Sequence, residues 1–127
     1  MEIFSFAVLR VHLEKFACKI YRDTRTAAHD QGVDLSTNFG VVYQGYYGDA
    51  ARTVAIGRVS AQAERLMRVT RDALYAGIEQ ARVGNRIGDI GRAVQGMAEG
   101  AGYSVVTDFA GHGIGRRLHE DPQVPNY

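Results

Sequence analysis

The stretch Asp34–Gly57, DLSTNFGVVYQGYYGDAARTVAIG, decides the fold. Phe39, Val41, Val42 and Tyr43 precede Gln44-Gly45, and Tyr46, Tyr47, Val54 and Ile56 follow it. Such β-branched and aromatic runs on either side of a glycine-containing pair predict a hairpin. With Gln44 and Gly45 as the turn, Asn38 faces Ala51 and Gly40 faces Asp49. Paired residues share a face and faces alternate along each strand, so Asn38 and Asp49 point the same way as diagonal neighbours. A polar pair on one face of an apolar hairpin is a candidate ligand pair. The plainer alternative is a wet face, and a bulge at Gly48 would break the alignment.

Downstream of the hairpin the apolar period changes. Ser60 is an N-cap with Glu64 in the first turn, and Leu66, Thr70, Ala73, Leu74, Ile78 and Ala81 mark a helical stripe ending at Gly84. A second helix starts with Asp89 as cap and runs through Ile90, Val94 and Met97 to stop at Gly102. Its glycines at 91, 96 and 100 each weaken it by up to ~1 kcal/mol relative to alanine, so packing must hold it. Tyr103 to Phe109 then reads as a strand. The order hairpin, helix, helix, strand gives an α+β layout, with two helices packed on one face of an antiparallel sheet.

That strand delivers the chain into Gly111-His-Gly-Ile-Gly-Arg-Arg-Leu-His-Glu-Asp-Pro122. Alternating glycines and Pro122 argue against helix, so this is a loop entering an extended segment. Glycines beside His112 let a backbone or ligand approach closely, which suits a metal ligand or a substrate-facing base. A glycine loop with two solvated histidines is the alternative.

Upstream, Ile3 to Tyr21 reads as an amphipathic helix from Phe6, Leu9, Leu13, Phe16 and Ile20, although Phe4, Phe6 and Val8 alternate like a strand. Thr24 to Val33 is polar and aperiodic and reads as a linker carrying a solvated His29.

The chain has 127 residues, 46% of them hydrophobic, and a net charge of +1, which suits one domain with a modest core. Its basic residues are scattered, so nothing points to nucleic acid or a membrane surface. Cys18 is the single cysteine, which rules out an internal disulfide and a cysteine zinc cluster and fits a reducing, cytoplasmic compartment. The run Ile3 to Leu9 is too short to span a bilayer and lacks a basic flank, so no signal peptide is expected.

Three catalytic patterns fail. Gly111-x-Gly-x-Gly115 is not followed by the helix N-terminus that a pyrophosphate requires, no serine sits in a glycine elbow, and no helix carries two histidines four apart. What remains is a mixed oxygen and nitrogen donor set: Asp49, His112 and Asn38. Such donors suit divalent cobalt, manganese, iron or zinc, a pair of which would activate a shared water near neutral pH.

Three segments then carry a family resemblance. Gly40-Val-Val-Tyr-Gln-Gly-Tyr-Tyr-Gly-Asp-Ala-Ala-Arg-Thr53, Gly111-His-Gly-Ile-Gly-Arg116 and His119-Glu-Asp-Pro-Gln-Val-Pro-Asn-Tyr127 resemble type I methionine aminopeptidases in order and spacing. The likeness runs from about Asp34 to Tyr127, which divides the chain into residues 1–33, unlike the family, and a partial catalytic domain at 34–127. It implies part of a pita-bread fold enclosing two divalent ions, with N-terminal methionyl peptides of nascent proteins as substrate. It also implies that Asp49 and His112 are metal ligands, that His119 contacts the peptide and stabilises the tetrahedral intermediate, and that Leu118 lies near the methionine pocket.

The departures are specific. Asn38 stands where the family has its first metal-binding aspartate, and a neutral amide lowers metal affinity. The family's His-Gly-Ile-Pro segment is missing, with Ile20 at the place of its histidine. The two glutamate ligands would lie beyond Tyr127. The expectation is therefore a truncated, inactive copy of a metallopeptidase, with exposed sheet edges that favour self-association. The rival is a non-catalytic binding module that kept the fold and lost the metal centre.

Overall fold

The computed structural model describes residues 21–29 and 32–127. Three strands form one antiparallel sheet in the order β1 (Tyr21–His29), β2 (Gly32–Tyr43), β3 (Tyr46–Gly57). Two helices follow, α1 (Ala61–Gln80) and α2 (Ile87–Gly100), and then a small two-stranded sheet of β4 (Gly111–Gly113) and β5 (Glu120–Val124).

The hairpin forms with the expected register: Tyr43 pairs with Tyr46, Gly40 with Asp49 and Asn38 with Ala51. Its turn needs left-handed backbone at both central positions, and Gln44 (φ 48°) and Gly45 (φ 79°) supply it. That conformation matches the twist of the flanking strands, and glycine adopts it without steric cost. Along β3, Tyr47, Asp49 and Ala51 are half-buried whereas Tyr46, Ala50 and Arg52 are exposed, so Asp49 sits on the covered face.

The linker expected over residues 24–33 is corrected. Thr24 to His29 belongs to β1, which pairs with β2 from Tyr21↔Gly40 to His29↔Gly32, so His29 ends a strand. A polar strand gives no apolar period, and its backbone ladder to β2 settles the conformation instead. The boundary expected at 33/34 falls inside β2. The helix expected over 3–21 lies outside the described residues, except that Tyr21 opens β1.

Helix α1 begins as expected, with the Ser60 hydroxyl accepting from Ala63 N–H at 3.1 Å. Such a cap contributes about 1 kcal/mol. Helix α2 corrects the sequence reading: Arg86 is the N-cap and Asp89 lies in the first turn, where its carboxylate accepts the Arg86 backbone N–H at 2.7 Å. An Asp89 cap would serve N–H groups two or three residues after it; here its carboxylate reaches back to Arg86 N–H, and the helix starts three residues earlier. Asp89 also pairs with Arg92. The Arg86 backbone bond, then the Arg92 pairing, hold the Asp89 carboxyl below its ordinary value. A depressed carboxyl stabilises the fold above its unfolded-state pKa and loses that contribution as pH falls through the folded value. The urea midpoint of Asp89→Asn should therefore lie below that of the parent at neutral pH, with the gap closing below about pH 4.

The C-terminus of α2 is closed by a left-handed Gly102 (φ 81°), with Tyr103 N–H donating to the Ala98 carbonyl at 3.0 Å and Gly102 N–H to that of Glu99 at 2.9 Å. This paired arrangement brings the residue after the glycine back onto the helix. Tyr103 and Val105 accordingly pack on the core pair Leu66 and Ala98. The strand expected from Tyr103 to Phe109 is absent. The segment has no ladder partner among the described residues, and its Tyr103 and Val105 pack on the helix pair instead. Packing holds α2 despite its glycines: a Cβ at Gly77 of α1 would press on Val94, and one at Gly91 would overlap the backbone of Tyr127. No helix among the described residues is long and apolar enough to cross a membrane.

Candidate metal and peptide site

Asp49 and His112 come from opposite ends of the described chain and meet. Asp49 is the fourth residue of β3; His112 is the middle residue of β4, paired with Gln123 of β5. A backbone hydrogen bond joins the two sheets, with Tyr47 N–H donating to the Gly115 carbonyl at 2.7 Å. Tyr47 is two residues from Asp49 and Gly115 three from His112, so this bond fixes the approach of the two side chains.

The Asp49 Oδ2 and His112 Nε2 atoms are 3.8 Å apart, with the side chains 15% and 23% exposed. That separation is too long for a hydrogen bond. It is the separation of two ligands on one cation: donors about 2.1 Å from an ion, at angles of about 110–130°, lie about 3.4–3.8 Å apart. His112 Nδ1 lies 2.9 Å from the Gly113 carbonyl oxygen. With Nδ1–H donating there, the Nε2 lone pair faces Asp49, the tautomer a metal ligand requires. The donor chemistry therefore fits one edge of a divalent ion. No group of three His, Cys, Asp or Glu side chains converges among the described residues.

The ring of His119 lies against His112, centroids 4.2 Å apart and planes inclined at 49°. His119 is exposed and Leu118, just before it in the chain, is half-buried. Asn38 pairs with Ala51, which puts positions 38 and 49 at diagonal places on one face of the ladder.

Several features of the site were not visible in the sequence. The Tyr47–Gly115 bond is made by backbone alone and has no side-chain signature. The Arg116 guanidinium lies over the Tyr46 ring, 5.0 Å from its centroid, and Nη2 donates to the Tyr46 hydroxyl at 3.3 Å. Glu120 accepts the Arg117 backbone N–H at 2.8 Å. A carboxylate three residues after a turn was the available signal for this last contact.

The pattern of metallopeptidase family M24 matches residues 14–127. The chain belongs to metallopeptidase family M24. A methionine aminopeptidase of Clostridium acetobutylicum is 48% identical over 97 residues, 76% of this chain and 39% of that protein. One of Clostridium perfringens is 50% identical over 93 residues, 73% of this chain and 37% of the relative. The M24 chain thus spans about two fifths of the length of the curated relatives it matches. The crystal structure of methionine aminopeptidase from Thermotoga maritima superposes with a TM-score of 0.73 at 45% identity, covering 76% of this chain and 39% of that one. Prolidase from Pyrococcus furiosus shares the fold at 21% identity, with a TM-score of 0.70 over 88% of this chain. The M24 chain therefore has the α+β architecture of part of the pita-bread fold.

Proposed function

We propose that this M24 chain carries part of a methionine aminopeptidase-type site, whose complete form releases the N-terminal methionine of nascent proteins. The observation that supports it is the 3.8 Å approach of Asp49 Oδ2 to His112 Nε2 across two separate sheets. Divalent ions of cobalt, manganese, iron or zinc in such a site polarise a carbonyl and lower the pKa of a water. Asp49 brings the anionic oxygen, and His112 brings a neutral nitrogen oriented by its bond to Gly113. His119, beside His112 and open to solvent, is placed to donate to the scissile carbonyl oxygen as negative charge develops there. Leu118 offers an apolar wall for the methionine side chain. Position 38, diagonal to Asp49 in the ladder, holds asparagine where the family likeness implies a carboxylate. A substrate emerging as a nascent chain implies the cytoplasm. The outward edge of β1, which pairs with no strand among the described residues, favours association between copies.

Among the described residues one carboxylate and one imidazole converge, too few donors for a two-ion centre, and on this reading the chain is inactive by itself. Incubating it with Met-Ala-Ser and Mn²⁺ or Co²⁺ should release no methionine; hydrolysis abolished by His112→Ala would overturn that. The neutral Asn38 favours a second reading, a binding module of the same fold without a metal centre. Titration with Mn²⁺ separates the two: weak binding lost in His112→Ala belongs to the enzyme-derived site, and no binding to the module.

A further inference from the structure

We propose that Glu120 is a positioning residue, whose carboxylate folds the 115–117 turn and thereby holds His119 against His112. Its meaning for catalysis rests on the reading of His119 as the peptide-contacting imidazole; its structural content does not. Three observations support it. Glu120 Oε1 accepts the Arg117 backbone N–H at 2.8 Å, and the turn closes with Gly115 N–H donating to the Arg117 carbonyl at 3.2 Å. The other oxygen, Oε2, occupies the space above Gly115: a Cβ there would come within 2.6 Å of it. Gly115 in turn gives its carbonyl to Tyr47 N–H, so the turn that Glu120 stabilises is also the tie to the strand bearing Asp49.

Glu120 lies next to His119 in the chain and pairs with Gly113 in the β4–β5 ladder, beside His112. One carboxylate thus spans the loop that separates the two histidines. His112 has its own support, from Nδ1 to the Gly113 carbonyl. Among the described residues His119 makes no such side-chain hydrogen bond, and its placement depends on the backbone on either side of it. Loss of the Glu120 contact therefore moves His119 and leaves His112 in place. The contact predicts two routes to one defect: Glu120→Ala removes the acceptor, and Gly115→Ala pushes the acceptor away while Glu120 remains.

The test is ring-proton cross-relaxation between His112 and His119 in the labelled full chain, which needs neither metal nor turnover. A displacement of about 1 Å, the scale at which positioning defects act, cuts this inverse-sixth-power signal by roughly threefold. Glu120→Ala and Gly115→Ala should each show that loss, the double variant no more than either, and Glu120→Gln, which keeps an acceptor oxygen, should retain the signal. Unchanged helix α1 and α2 amide shifts confirm that the fold persists. An undiminished signal in Glu120→Ala, or an equal loss in Glu120→Gln, overturns the proposal. Should Mn²⁺ fail to bind while the cross-relaxation pattern holds, the metal reading falls and the role of Glu120 stands.

Discussion

Asn38→Asp is expected to raise the affinity of this chain for Mn²⁺ or Co²⁺ by roughly 10–100-fold, since affinity of such sites follows the number of anionic ligands and their support. The register pairs Asn38 with Ala51 and Gly40 with Asp49, which sets positions 38 and 49 about 7–8 Å apart on one face of the hairpin. Carboxylates at that separation flank a cation from two sides. An amide at position 38 offers one neutral oxygen and leaves Asp49 as the single anionic partner of His112. Calorimetric titration of the parent, Asn38→Asp and Asn38→Asp with Asp49→Ala measures the gain and its dependence on Asp49. The gain should vanish in the double variant, because a lone carboxylate at 38 is no better placed than the lone one at 49. Equal affinity of parent and Asn38→Asp would mean that position 38 does not face the cation, and the diagonal reading of the hairpin would fail.

That prediction draws on the part of the molecule most legible in the sequence. A two-residue turn at Gln44-Gly45 leaves a single register for the strands around it, so Asn38 and Asp49 could be placed by counting. The meeting of Asp49 with His112 was legible as chemistry and as family likeness, but its geometry was not. It depends on the Tyr47–Gly115 backbone bond, and every residue carries the same backbone donor and acceptor. Strand β1 escaped notice because Thr24 to His29 carries no apolar alternation; the β2 ladder supplies what the side chains do not advertise. Tyr103 to Phe109 erred in the other direction. Its β-branched and aromatic residues signal extended backbone, yet extended backbone becomes a strand only when a neighbour offers a ladder. At α2 the sequence pointed to Asp89 as the cap, whereas the backbone caps at Arg86 with Asp89 as the returning acceptor.

Gly113→Ala should be strongly damaging, and Gly96→Ala the contrasting benign methyl. A Cβ at Gly113 would overlap the Asp121 carbonyl and crowd that of Glu120, both backbone atoms of β5. Backbone in a paired strand cannot swing aside as a side chain tip does, so β4 and β5 must separate. Overpacking of this kind costs about 1–3 kcal/mol. A loss of that size lowers Tm by at least several degrees, since 1 kcal/mol corresponds to about 4–8 °C in a domain of roughly 60–100 residues. The Gly113 carbonyl oxygen also lies 2.9 Å from His112 Nδ1, and Gly113 pairs with Glu120, so the same methyl loosens both histidines. Mn²⁺ binding should fall with Tm. At Gly96, on the exposed side of α2, a Cβ meets nothing within 4 Å, and the substitution should stabilise the helix by about 0.5–1 kcal/mol. Thermal melts of the two variants check the pair. A Gly113→Ala protein that melts with the parent and keeps its metal affinity would show that β4 and β5 do not approach as closely as this arrangement of the histidine loop requires.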